Sequence, residues 1–124
     1  MSIEKSKKTK KNKITKYIII VVMVLLLLIV GVIFMNLFIK KKEVSETIDS
    51  YINENNYESH IQEKEILYDW KQGTYYGKVT FEDEPENYYE IYVNGNSDNV
   101  YVFGYNNNTN VEITNKNEGR YIDN

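Results

Sequence analysis

The chain has 124 residues, with 15 Lys+Arg against 18 Asp+Glu, one His, one Pro and no Cys, for a formal net charge of −3. That length leaves room for little more than one ordinary domain, and the lack of cysteine excludes a disulfide framework, a thiolate metal site and a cysteine nucleophile. The −3 is a cancellation: residues 1–42 hold ten lysines and one acid, Glu4, for +9, whereas residues 43–124 hold 17 acids against four lysines and Arg120, for −12.

Residues 1–16 form a basic tail containing the run KKTKKNK. It has no interleaved aromatics and abuts an apolar segment, so it reads as a solvated topology determinant rather than an anionic-lipid or nucleic-acid patch. Residues 17–39, YIIIVVMVLLLLIVGVIFMNLFI, carry no charge. At 1.5 Å per residue this run makes a helix of about 34 Å, enough for a hydrocarbon core of about 30 Å. The residues that follow are too few and too polar to bury such a helix. The run exceeds the usual apolar region of a cleaved signal peptide, and no small-residue cleavage site or lipidation cysteine follows, so an uncleaved signal anchor is expected. Lysine is denser before the span than after it, where only Lys40, Lys41 and Lys42 precede the acids. The positive-inside rule then places the N-terminus in the cytoplasm and residues 40–124 outside a cell membrane crossed once.

In the acidic part, Val44, Ile48, Tyr51 and Ile52 fall at i, i+4, i+7 and i+8, opposite Glu46, Asp49, Asn53 and Glu54. This spacing predicts an amphipathic helix of three to four turns, ended by Asn55-Asn56. Beyond Tyr57 the pattern alternates. Strands are predicted over residues 66–70, 75–82, 88–93 and 100–105, with a short fifth over 111–114. The turns are Lys71-Gln72-Gly73-Thr74, residues 83–87, and Asn94-Gly95, the last a strong hairpin signal. Residues from about 115 read as a frayed end. The fold class is α+β: a transmembrane helix, then an amphipathic helix packed on a four- to five-stranded antiparallel sheet, similar by topology to cystatin-like or PepSY-like modules.

The stretch Val79-Thr80-Phe81-Glu82-Asp83-Glu84-Pro85, followed by Tyr88-Tyr89 and Gly104 on a chain with a basic tail and one span, resembles the domain of unknown function 3139 proteins of low-GC Gram-positive bacteria. The similarity covers most of residues 15–105. The resemblance implies a membrane-anchored protein and no catalytic residues to carry over.

Candidate chemistry is sparse. Glu82, Asp83, Glu84 and Glu86 form the densest carboxylate group, but calcium needs oxygen ligands at defined intervals, so a solvated acidic turn accounts for them. The loop of residues 94–99 begins like a calcium-binding loop, then has Asn99 at its sixth position and Tyr105 at its twelfth, which fits a hairpin better. His60 stands alone, with no zinc set and no nucleophile motif around it. No enzyme activity, metal or cofactor is expected. Apart from Tyr17, all the tyrosines lie in the acidic part with Trp70. Tyr76, Tyr88, Tyr92, Tyr101 and Tyr105 alternate with aliphatic positions, which gives a candidate interaction surface, with Glu82, Asp83 and Glu84 as an acidic addition. The expected partners are the lipid bilayer and another membrane or cell-envelope protein; a −12 domain excludes nucleic acid. The leading expectation is a non-catalytic extracytoplasmic interaction module. The alternative is a small accessory or immunity-type protein that acts on another membrane protein through its span.

Overall fold

The computed structural model describes residues 2–94 and 99–122, the first eight of these by their backbone alone. Among them the elements are α1 (Ser2–Glu54), a short 3-10 turn (Glu58–His60), and strands β1 (Ile61–Asp69), β2 (Thr74–Phe81), β3 (Glu84–Val93), β4 (Val100–Asn106) and β5 (Glu112–Ile113). The strands form one antiparallel sheet in the order β1-β2-β3-β4-β5, so the architecture is α+β. The chain divides into two units, Met1–Phe38 and Ile39–Asn124.

The first unit is the N-terminal part of α1. Among the described residues one helix near the N-terminus is long and apolar enough to span a membrane, and none of its apolar stretch is buried within the chain. Ile18, Leu27, Phe34 and their neighbours are exposed.

In the second unit the expected amphipathic helix is present, but as the continuation of α1 rather than as a separate element. The three lysines and Glu43 at the junction are good helix formers, and neither Pro nor Gly follows Gly31 until the helix has ended. The helix stops where expected. Asn56 takes a left-handed conformation (φ 59°), and the Tyr57 and Asn56 amides donate back to the Ile52 and Asn53 carbonyls at 3.0 and 3.2 Å.

Ile48 and Ile52 on the buried side of this helix meet the inner sheet face, which presents Val79 and Phe81 of β2, Tyr89 and Ile91 of β3, Val102 of β4 and Ile113 of β5. Glycine at position 77 lets the helix approach: a Cβ there would lie 3.0 Å from Ile48 Cδ1. The rest of the inner face is covered by an unexpected element. Tyr121 and Ile122 are buried (2% and 6% exposed), so the C-terminal segment is docked and not frayed. Tyr121 stacks on Phe81 with ring centroids 3.6 Å apart and meets Tyr57 and Tyr89 edge-on. Gly104 leaves the space that Ile122 fills, since a Cβ there would come within 2.7 Å of Ile122 Cγ2. The segment lacks a periodic apolar pattern, which is why the sequence suggests an end without structure.

Two strands are longer than predicted. β1 begins at Ile61, because pairing with β2 holds the polar stretch Gln62 to Glu65 extended although it has no alternating apolar pattern. β3 begins at Glu84, so the turn is only Glu82-Asp83. Pro85 sits in the register irregularity of the β2–β3 pair, before pairing with β4 starts at Asn87. The hairpin turn expected at Asn94-Gly95 lies in part outside the described residues, as does most of the calcium-like loop.

Candidate functional site

Side chains alternate across a strand, so the residues between the core positions of β2, β3 and β4 share the opposite face. Register then aligns them. Tyr76, Tyr92 and Tyr101 are directly opposite one another across three strands, Lys78, Glu90 and Phe103 form the next row, and Tyr88 faces Tyr105. The five tyrosines singled out from the sequence are thus brought together on one outer face. Tyr76 stacks on Tyr92 at 5.0 Å and Tyr88 on Tyr105 at 5.3 Å, while Phe103 meets Tyr92 edge-on at 5.9 Å. Tyr101 and Phe103 are exposed and the other four are partly exposed. This is an ordered aromatic surface on the side of the sheet away from α1 and the C-terminal segment.

Glu90 stands at its centre. Burial among these rings pushes its carboxyl above the ordinary carboxylate range, against the opposing pull of the Tyr92 hydroxyl and Lys78. Burial also raises the hydroxyl pKa of Tyr76, Tyr88, Tyr92 and Tyr105, and the Glu90 charge adds to the effect in each. All four are therefore neutral phenols at physiological pH. The Tyr92 hydroxyl lies 3.2 Å from both Glu90 Oε2 and Asp69 Oδ2, and the Tyr88 hydroxyl donates to Asn110 Oδ1 at 3.1 Å. The Lys78 ammonium sits over the Tyr88 ring, 4.9 Å from its centroid, so the face already holds one cation of its own. Glu90 and Phe103 were missed from the sequence. The signal was there in the two-residue period, since each lies midway between tyrosines assigned to this face.

Asp83 and Glu84 are turned to other partners than this surface. Glu82 is exposed, but Asp83 and Glu84 clasp the C-terminal segment. The Tyr121 hydroxyl lies 2.8 and 2.7 Å from the two Asp83 carboxylate oxygens, and Arg120 Nη1 donates to Asp83 Oδ2 at 3.2 Å. The hydrogen bond from Tyr121 holds the Asp83 carboxyl below its ordinary range. Glu84 accepts from the Tyr89 hydroxyl, from Asn87 Nδ2 at 2.9 Å and from the Arg120 amide at 2.9 Å. These bonds satisfy polar groups at the edge of the core, and the acidic turn is a structural fastening. Among the described residues no three of His, Asp or Glu converge to hold a metal ion, and His60 lies in the 3-10 turn.

Over residues 12–91 the chain matches the family described as protein of unknown function DUF3139. The chain belongs to this family. No curated protein and no solved structure matches it. The DUF3139 match takes in the apolar helix and the strands up to Ile91, including Tyr76, Tyr88 and Glu90, and leaves β4, β5 and the C-terminal segment beyond its end.

Proposed function

We propose that this DUF3139 protein is a single-pass, signal-anchored membrane protein whose second unit lies outside the cytoplasmic membrane and binds another membrane or cell-envelope protein through the aromatic face, without catalysis. The observation that carries the reading is the alignment of Tyr76, Tyr92 and Tyr101, with Tyr88 and Tyr105, on a face that the fold leaves uncovered. Tyrosine gives large, rigid contact area with a polar end, the combination favoured where one protein binds another. Charge describes the partner. Glu65, Asp69, Glu90 and Glu112 share the face or its margin with Lys78, so acids outnumber lysine along it and it complements a segment bearing Lys or Arg among apolar side chains. The non-catalytic part rests on Asp83 and Glu84 being committed to Tyr121, Tyr89, Asn87 and Arg120. The outward orientation rests on the lysine excess before the span.

The test is crosslinking in intact cells with the full chain and a Tyr88→Ser/Tyr92→Ser variant, with near-ultraviolet circular dichroism as the check on folding. The expected result is loss of the crosslinked partner from the folded variant and its retention when the span is replaced by an unrelated anchor. Retention by the folded double variant would overturn the role of the face. Loss on anchor exchange alone would favour action through the span. External protease added to protoplasts should remove the second unit, and its survival would refute the orientation.

A further inference from the structure

Trp70 is 88% exposed, more than any other large apolar side chain described. It sits in the β1–β2 turn, and that turn is fixed. Asp69 Oδ1 accepts from the Lys71 and Gln72 amides at 2.9 and 3.2 Å, the Gly73 amide donates to the Asp69 carbonyl at 2.8 Å, and Gly73 holds the left-handed conformation (φ 66°) that closes it. Behind Trp70, Tyr68 packs edge-on at 4.8 Å and itself meets Tyr75 at 4.9 Å. An exposed indole supported by two tyrosines and flanked by Lys71 has the composition of side chains found at membrane–water interfaces.

The position of this turn within the second unit agrees. Asn53, Ile52 and Asp49 line one cleft with Ile61 and Lys64, Asp49 pairs with Lys64, and Ile48 lies over Gly77 beside Ile66. Moving along β1 towards higher numbers therefore moves along α1 towards lower ones. Trp70 lies four residues past Ile66, about 13 Å further along the strand direction. Lys42 to Lys40 lie six to eight residues before Ile48, about 9–12 Å along the helix in the same sense. The Trp70 turn thus lies towards the same end of this part of α1 as the lysines that mark the end of the apolar run. Charge agrees too: residues 66–81 hold Asp69 against Lys71 and Lys78, a net +1 within residues 43–124 that sum to −12, so an anionic lipid surface does not repel this hairpin as it does the rest.

We propose that the β1–β2 turn is a second membrane contact, in which Trp70, Tyr68 and Lys71 enter the headgroup zone of the bilayer that holds the span. The proposal rests on the span and not on the partner-binding face. Trp70 is the sole tryptophan, so its fluorescence reports this site alone. The full chain is reconstituted into vesicles of phosphatidylcholine and phosphatidylglycerol, and flotation establishes membrane insertion. Lipids labelled in the headgroup, or brominated at a shallow or a deep acyl position, are then compared as quenchers with aqueous acrylamide. Trp70 is expected to lose most of its emission to the headgroup and shallow labels and little to the deep one. It should also be shielded from acrylamide, and Lys71→Glu should weaken the lipid quenching. Unrestricted quenching by acrylamide with no effect of lipid labels would overturn the proposal. So would protection from both, which would mean that a second copy of the chain covers the turn. A chain that fails to float would overturn the membrane reading and this one with it.

Discussion

Substituting Tyr121 by alanine tests whether the C-terminal segment is part of the fold. The side chain is buried, stacks on Phe81, meets Tyr57 and Tyr89 edge-on, and hydrogen-bonds to Asp83. Replacing a buried aromatic by alanine costs about 3–5 kcal/mol, because a cavity remains where the ring was. A unit of this size has a total stability of roughly 4–13 kcal/mol, so the loss is a large share of it. Tyr121→Phe keeps the ring and removes only the bond to the carboxylate. It should cost about 1.5 kcal/mol, the low end for a hydrogen bond to a charged group, since the Asp83 side chain is 36% exposed. The assay is urea unfolding of the full chain in lipid nanodiscs, followed by near-ultraviolet circular dichroism, which reports tyrosine packing and is blind to the helix content of α1. The expected order of stability is wild type, then Tyr121→Phe, then Tyr121→Ala, with a chain ending at Asn115 no more stable than the last. Equal midpoints for wild type and the shortened chain would refute the docking of the segment.

Two further outcomes follow from the same contacts. Gly104→Ala should displace Ile122 and destabilise the unit by about 1–3 kcal/mol, measured in the same unfolding experiment, because the new methyl group meets buried side chains on two sides. Glu90→Gln should change the acid limb of the stability curve. The folded-state pKa of Glu90 is raised, so the wild type is penalised above it and recovers stability as pH falls from that value to the unfolded one; the variant should lack this recovery and be at least as stable at neutral pH. Asp83 acts in the opposite sense in both chains. Its lowered folded-state pKa contributes stability above the unfolded value that disappears as pH falls through the folded one.

The apolar run, the amphipathic positions Ile48 and Ile52, the helix stop at Asn55-Asn56 and the alternation of β2, β3 and β4 were legible because each is a local pattern set by helix or strand geometry. The match to DUF3139 over residues 12–91 agrees with the resemblance carried by the stretch from Val79 to Pro85. The C-terminal segment was not legible, since Tyr121 is buried by residues far away in sequence and not by any periodicity of its own neighbourhood. For the same reason the acidic turn read as a solvated loop: a carboxylate that clasps a segment 36 or more residues away looks identical in sequence to one that faces water. On the outer face the tyrosines could be assigned from alternation, but their order in rows depended on register. Register is set by the pairing of three strands and by irregularities at Ile61/Glu63 and Val79/Phe81 that no local pattern announces.

The strand order has a consequence for how the second unit assembles. Each strand pairs with its neighbour in the chain, so the hairpins close over short separations. The bond between Tyr121 and Asp83 closes 38 residues, and the entropy of that closure exceeds that of a four-residue turn by about 2 kcal/mol. Pairing of the strands is therefore favoured to come first, and the C-terminal segment docks last on a sheet already formed. The fastening that completes the core is also the one that can open by itself, uncovering Phe81 and Tyr89 while the ladder of strands stays paired.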